Sequence, residues 1–274
     1  MAAKKRVVVA GARGVFGSLL VHELREDYDV IATTRETLDL NDVDAGGRAA
    51  RDAFAFVCAA GPFQRLDRRI VRAVVESGAH WLDIADDARW FFDLVDDASL
   101  DALARERAVV VMPGLSTLPA ISCALVRSMG APERVTITLY IGNDNAKGAA
   151  AIASGSALHS PDRELLRRMG IDAEVRTRFE IPGVSLAMRA LAMLPIEARM
   201  RIAKGIARIA KLARFGTRGG YVEVRAADRV ERVNGADQRL AILPLVFALE
   251  HLPEPGVHVP SVLDAERLLQ FVRE

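Results

Sequence analysis

Arg6 to Gly17, RVVVAGARGVFG, constrains the fold of this chain more than any other stretch. A short apolar strand runs into glycines at 11, 14 and 17, and apolar residues at 15, 16, 19, 20 and 24 then recur with helical spacing. A strand that turns straight into a helix leaves the first N–H groups of that helix unpaired, at the positive end of its dipole. Such an end attracts an anion. Gly11 permits the tight turn, Gly14 lets backbone approach a pyrophosphate with no Cβ between them, and Gly17 lets the helix lie close on its strand. The spacing is GxxGxxG rather than GxGxxG, so the flanking strand and helix carry much of the reading. Gly11, Ala12, Arg13, Gly14, Val15, Phe16 and Gly17 are therefore expected to cradle a dinucleotide, against the plainer alternative of a ligand-free strand–turn–helix.

The rhythm continues. Tyr28 to Thr34 and Phe54 to Ala59 read as buried strands, Leu66 to Ser77 as a helix ended by Gly78, and His80 to Ile84 as a fourth strand. Ala88 to Arg107 reads as one helix and Ala108 to Val111 as a fifth strand. Strands alternating with helices predict an α/β fold with a Rossmann-like, doubly wound parallel sheet over residues 1–130. Thr117 to Met129 is expected to lead away from it as a helix.

From 131 to 235 the grammar changes to that of a second, smaller α+β lobe, inserted before a C-terminal return over 236–274. Arg134 to Ile141 and Tyr221 to Val233 alternate like half-exposed strands. Between them lie a Gly/Ala/Ser-rich loop at 142–157 and a helical block from Glu164 to Phe215, broken at Pro182 and Pro195. The tail reads as a helix near Gln238 to Leu252, a proline-rich loop and a last helix from Asp264 to Val272.

Composition narrows the function. With 37 basic against 36 acidic side chains there is no general pull towards nucleic acid. Cys58 and Cys123 stand far apart, without the spacing of a metal site or a disulfide framework, and are expected to be buried hydrophobes. MAAKKR enters a strand too soon for a signal peptide, and no apolar run reaches membrane-spanning length, so the expectation is a cytoplasmic enzyme.

At the end of the second strand stand Thr33, Thr34 and Arg35 in place of the carboxylate that bonds a ribose 2′-hydroxyl, which favours NADP over NAD. An ordinary solvated arginine is the alternative for Arg35. Asp39 and Leu40 are expected to border the adenine, and Ala60, Gly61, Pro62 and Phe63 to lie along the cofactor at the carboxyl edge of the sheet. Asp83, at the end of the fourth strand on that edge, is the candidate catalytic or substrate-orienting group; a local cap is its alternative. His80 reads as structural and His159 stays unassigned.

Together, VVVAGARGVFG, AAGPFQ, GAHWLDIADD and VVVMPGLSTLPAIS make the chain resemble the saccharopine dehydrogenase-like oxidoreductases. The resemblance implies a Rossmann lobe binding NAD(P), a cleft to a second lobe that takes a small-molecule substrate, and hydride transfer. It supports the residues already placed in the glycine loop, at Arg35 and at 61–63, and puts Asp83 near the nicotinamide. The short, basic second lobe departs from the pattern, so substrate identity does not transfer. Short-chain dehydrogenases fit less well: four residues after Tyr28, Tyr140 and Tyr221 come Ala32, Asp144 and Arg225 rather than the lysine of a Tyr-x-x-x-Lys pair.

A catalytically silent dinucleotide-binding protein is the competing class. It draws on Ile196 to Phe215, where Ile202, Ile206, Ile209 and Ala213 share one helical face and Arg201, Lys204, Arg208 and Lys211 another. Such a helix suits a membrane surface or an acidic partner. The plainer reading lays its apolar face on the second lobe's sheet. An exposed second sheet also makes a homodimer an expectation.

Overall fold

The computed structural model describes residues 3–142, 160–180, 183–212 and 216–274. The first lobe begins with β1 (Arg6–Ala10), α1 (Val15–Leu24), β2 (Asp29–Thr33), α2 (Val43–Ala50), β3 (Ala55–Cys58) and α3 (Arg69–Glu76). β4 (His80–Asp83), α4 (Ala88–Val95), α5 (Ala98–Glu106), β5 (Val110–Met112) and α6 (Ser122–Ser128) follow. Next come β6 (Arg134–Ile141), α7 (Asp162–Arg168), β7 (Asp172–Phe179), α8 (Val184–Ala192), α9 (Ile196–Leu212), β8 (Gly220–Ala226) and β9 (Arg229–Gly235). The chain ends with α10 (Leu243–Glu250), β10 (Gly256–Val257) and α11 (Ala265–Arg273).

Six parallel strands form the first sheet in the order β10-β5-β4-β3-β1-β2. Their apolar runs are buried on both faces, as parallel strands under helices must be: Val7, Val8, Val9, Phe56, Val57, Trp81 and Leu82 have no exposed surface. Phe56 stacks on Trp81 across β3 and β4 at 5.2 Å between ring centres. Strand order reverses at β1, because β2 lies on one side of it and β3 on the other. That reversal opens the crevice in which sheets of this type bind ligands, outside the carboxyl ends of β1 and β3.

A second sheet, β7-β6-β8-β9, pairs β6 with β7 in parallel and the other neighbours antiparallel. The chain then returns: Gly256 N donates to Val109 O and His258 N to Val111 O, which adds β10 to the first sheet. Arg127 in α6 fastens the tail by donating to the carbonyls of Ser261 and Leu263, each at 2.6 Å.

Several expected elements take other forms. The helix expected over Ala88 to Arg107 is two, because Asp97 starts a new one by accepting from Ser99 N and Leu100 N. Thr117–Ile121 is an irregular turn through a cis Leu118–Pro119 bond, with Leu118 extended as a residue before proline prefers, and the helix starts only at Ser122. The strand expected over Tyr221 to Val233 is a hairpin that turns at Ala227 and Asp228, Ala227 having a φ of 50°. The block from Glu164 to Phe215 hides β7, whose charged residues alternate with Ala173, Val175 and Thr177. α2 escapes prediction because little of it is apolar; it fits against α3 through Gly46, where a Cβ would lie 2.5 Å from Ile70. His159, residues 213–215 and all of the 142–157 loop beyond Gly142 lie outside the described residues.

Candidate functional site at the carboxyl edge

The glycine turn has the shape its sequence demands. Gly11 has a φ of +82°, and a Cβ on it would stand 2.9 Å from the Ala60 backbone, so β1 and the β3 loop meet there at backbone contact. At Gly17 a Cβ would stand 2.1 Å from the Gly11 carbonyl oxygen, so α1 can lie on the turn only without a side chain. The loop is tied down by Ala12 N donating to Thr33 O (2.9 Å) and Gly14 N to Gly11 O (2.8 Å). Gly14 precedes α1 with no side-chain cap, whereas Asp42, Asp87, Asp97 and Asp264 cap α2, α4, α5 and α11. The first-turn amides of α1, from Val15, Phe16 and Gly17, are thus left to an external acceptor.

Beside this turn, the end of β2 concentrates charge. Thr33 is buried and donates its hydroxyl to Val9 O, while Thr34, Arg35 and Glu36 form the turn that follows. Glu36 reaches back across the crevice: its Oε2 accepts from Arg13 Nη1 at 3.0 Å and from Thr34 Oγ1 at 2.5 Å. The Thr34 hydroxyl, the residue's own N–H, Arg13 and Arg35 together hold this carboxyl below its ordinary range. Sequence reasoning passed over the Arg13–Glu36 contact, since the two residues lie 23 apart and only the β1–β2 pairing brings them together. Asp39 is exposed and accepts from Asn41 N, whereas Leu40 is buried in the wall below it.

Phe63 and Pro62 are buried, leaving Gly61 exposed at the edge and Ala60 half-buried against Gly11. Phe63 packs on Trp90 at 5.4 Å. Gln64 donates to Asp87 Oδ2 at 2.7 Å, and Asp87 Oδ1 caps α4 through Trp90 N.

Asp83 stands at this edge, but facing inward. Its Oδ2 accepts from the indole N–H groups of Trp81 and Trp90, both at 2.9 Å, and its Oδ1 from Ala85 N at 2.9 Å and Gly114 N at 3.0 Å. Four donors fill the acceptor positions of a carboxylate, and the side chain has no exposed surface. Burial pushes its pKa up while those four bonds oppose the shift. So bonded, Asp83 joins the loops after β4 and β5 to α4, the arrangement that its alternative as a local cap or loop carboxylate describes. Trp81, two residues earlier on the same strand face, was a partner the sequence could reveal; Trp90 and Gly114 were not.

His80 lies at the other end of β4, where its Nδ1 accepts from Val110 N at 2.8 Å; burial and then Lys5 lower its pKa to about 4, so it is a neutral structural group. The thiols of Cys58 and Cys123 are buried and pushed up, by burial first and by a nearby carboxylate second. Where α6 meets α7, the buried Asp162 accepts from the hydroxyls of Ser122 and Ser160, and burial raises its carboxyl to about 6 against those two bonds. A shallow hollow lined by Lys4, Lys5, Arg6 and Asp29 opens at the amino edge of the sheet, at the far end of the strands from the glycine turn.

A parallel sheet that reverses at β1 and presents an uncapped glycine turn there defines a Rossmann-like class of fold, with a second mixed sheet beside it. No family model matches the chain, and no curated protein sequence matches it. Among solved structures it is similar to apo saccharopine dehydrogenase (L-Glu forming) from Saccharomyces cerevisiae, at 11% identity and a TM-score of 0.57 over 97% of this chain and 96% of that one. It is also similar to an amine dehydrogenase from Mycobacterium smegmatis, at 12% identity and a TM-score of 0.49 over 95% of this chain and 96% of that one. The first likeness shows a shared fold, the one implied by the motifs AAGPFQ and GAHWLDIADD.

Proposed function

We propose that the protein is an NADP(H)-dependent oxidoreductase acting on a small molecule. The observation that carries the reading is the cradle at Gly11 and Gly17, where a Cβ would lie 2.9 Å and 2.1 Å from backbone atoms and where the following helix is left uncapped. These residues fit a pyrophosphate. When bound, a nicotinamide cofactor supplies the hydride chemistry. The protein's own residues would do the rest: the amides of Val15 to Gly17 would hold the phosphates, the exposed Gly61 would leave the β3 edge low, and the buried Pro62 and Phe63 would keep water from beneath it. Asp83 holds the β4 and β5 loops at fixed spacing, so that substrate and cofactor would meet a preorganised wall.

Arg13 and Arg35 support NADP over NAD, because both place positive charge at the end of β2, where a 2′-phosphate would lie. Glu36 carries a second reading, in which its carboxylate turns from Arg13 to a 2′-hydroxyl and NAD is preferred. Titration of NADPH and NADH into wild type, Arg35→Ala and Glu36→Gln separates the two. On the NADP reading Arg35→Ala weakens NADPH about 10-fold or more and NADH little, as loss of a charge-assisted contact requires. Equal affinities for both cofactors in the wild type would sink the preference. For turnover, NADPH oxidation is followed over a panel of imines, ketones and enones. Tight binding with no oxidation of any of them would favour the catalytically silent alternative.

A further inference from the structure

The side-chain amide of Gln64 has a fixed polarity. Its Nε2 donates to Asp87 Oδ2 at 2.7 Å, while Asp87 Oδ1 accepts from Trp90 N at 2.9 Å and so caps α4. Asp87 is buried with both oxygens accepting from N–H groups, and a carboxylate has nothing to donate, so the nitrogen end of the Gln64 amide has to face it. The oxygen end is thereby turned away from Asp87. Gln64 is exposed, and its Oε1 makes no hydrogen bond to a described residue. The short turn Phe63–Arg65 that carries Gln64 is anchored by the buried Phe63, which packs on Trp90, the residue whose N–H Asp87 caps. The β3 loop and the start of α4 are thus joined twice, and the free acceptor is held in place before any ligand arrives.

Its place decides what it can meet. Gln64 follows β3 and Asp87 follows β4, both at the carboxyl edge, so their bond lies on the β3–β4 side of β1. Arg35 follows β2 on the opposite side, with the glycine turn at the end of β1 between them. Strands about 4.8 Å apart put two to three spacings between Arg35 and the Gln64–Asp87 bond. A dinucleotide whose pyrophosphate rests on the turn and whose adenosine goes towards β2 sends its other nucleoside towards β3 and β4.

We propose that Gln64 is a specificity-determining residue for the nicotinamide end of the cofactor: its Oε1 accepts from the carboxamide N–H of the ring, and Asp87 is the positioning residue that keeps that oxygen outward. This role presupposes the dinucleotide reading of the glycine cradle. A carboxamide offers a donor and an acceptor; an acceptor fixed in the protein takes only the donor, and so selects which way round the carboxamide lies.

The test is calorimetric titration, without substrate, of NADPH, of its 3-acetylpyridine analogue, in which a methyl ketone replaces the carboxamide and removes the N–H donors, and of 2′-phospho-ADP-ribose, which has no nicotinamide. Wild type should favour NADPH over the analogue. Gln64→Leu should lower that affinity ratio about 5-fold or more, as loss of one hydrogen bond implies, while 2′-phospho-ADP-ribose binds both proteins alike. In Asp87→Asn the side-chain oxygen keeps the α4 cap and the NH2 group faces Gln64, so the Gln64 amide has to reverse; the ratio should fall there too, with Gln64 itself intact. A merely structural bond between the two loops would weaken all three ligands by one common factor, and thermal melts report whether each variant folds. If NADH proves the tighter cofactor, the same series is read without the 2′-phosphate. An unchanged ratio in Gln64→Leu, with 2′-phospho-ADP-ribose still bound, overturns the role of Gln64 and leaves the cofactor reading standing. Failure of the wild type to bind any ligand of either series overturns the cofactor reading, and the role of Gln64 with it.

Discussion

The glycine turn of the first lobe and the helical hairpin of α8 and α9 in the second both present positive potential, and they do so by opposite means. At the turn the charge is partial and belongs to the backbone: amides of α1 aimed by the path of the chain, in a space too narrow for one extra carbon. On the hairpin it belongs to the exposed side chains of Arg201 and Lys204, on a helix whose buried seam with α8, at Leu191 and Ala203, is small. The first arrangement selects one anion geometry. The second is indifferent to geometry and responds to charge density. A surface built from backbone is therefore specific and fragile, whereas one built from composition is tolerant and diffuse.

Glycine-to-alanine substitution breaks the comparison most sharply, because the same change should act in opposite directions. Gly17→Ala drives a methyl into the Gly11 carbonyl, so we expect NADPH binding to be lost in calorimetry and stability to fall by about 2–3 kcal/mol in urea unfolding. Gly205→Ala on α9 meets nothing within 4 Å and should stabilise the hairpin by about 0.5–1 kcal/mol. A gain at Gly17 or a large loss at Gly205 would reverse the assignment of rigid and tolerant regions.

Asp83→Asn turns two buried acceptor oxygens into one acceptor and one donor facing indole or amide N–H groups, and should cost about 3 kcal/mol of stability. Unchanged stability with abolished turnover would instead assign Asp83 to the chemistry.

Acid titration sharpens the contrast between the first lobe and its junction with the second. His80 has a folded pKa of about 4 against an ordinary 6.5, so between those values the unfolded chain binds a proton that the folded chain does not, and stability falls as pH is lowered through the window. Asp162 lies at about 6 against 3.8; there the folded chain keeps a proton that the unfolded chain has released, and stability falls as pH is raised through the window. The two slopes oppose each other, each on the order of 3 kcal/mol, so Asp162→Asn should uncover the His80 slope as a loss on acidification in urea melts from pH 6.5 to 4. The smallest expected effect is at Glu36→Gln, which frees Arg13 from an exposed ion pair and should tighten NADPH a few-fold.

The first sheet was legible in the sequence because its strands are continuous apolar runs, and α1 and α3 announce themselves by period, whereas α2 does not. The shape of the candidate site was legible where the path of the backbone demands glycine, as at Gly11 and Gly17. What escaped was whatever depends on contacts between distant residues: Glu36 reaching Arg13, Trp90 closing over Asp83, Gln64 holding Asp87. In the second lobe periodicity misled in two ways. β7 alternates so many charged residues that it reads as helix, and α9 carries two apolar stripes: Met200 and Ala203 lie in the seam with α8, whereas Ile202 and Ile206, of the stripe expected on the second sheet, are 44% and 40% exposed.

The position of β10 has a consequence for how the chain is made. Val110 and Val111 find their partners in Gly256 and Val257 only after the whole second lobe has been synthesised. Until then β5 emerges as the bare rim of an unfinished sheet, a template on which another nascent chain could add a strand. The segment that carries β10 thus acts as a closing seam: without it, that flank of the first sheet would stand open to another strand.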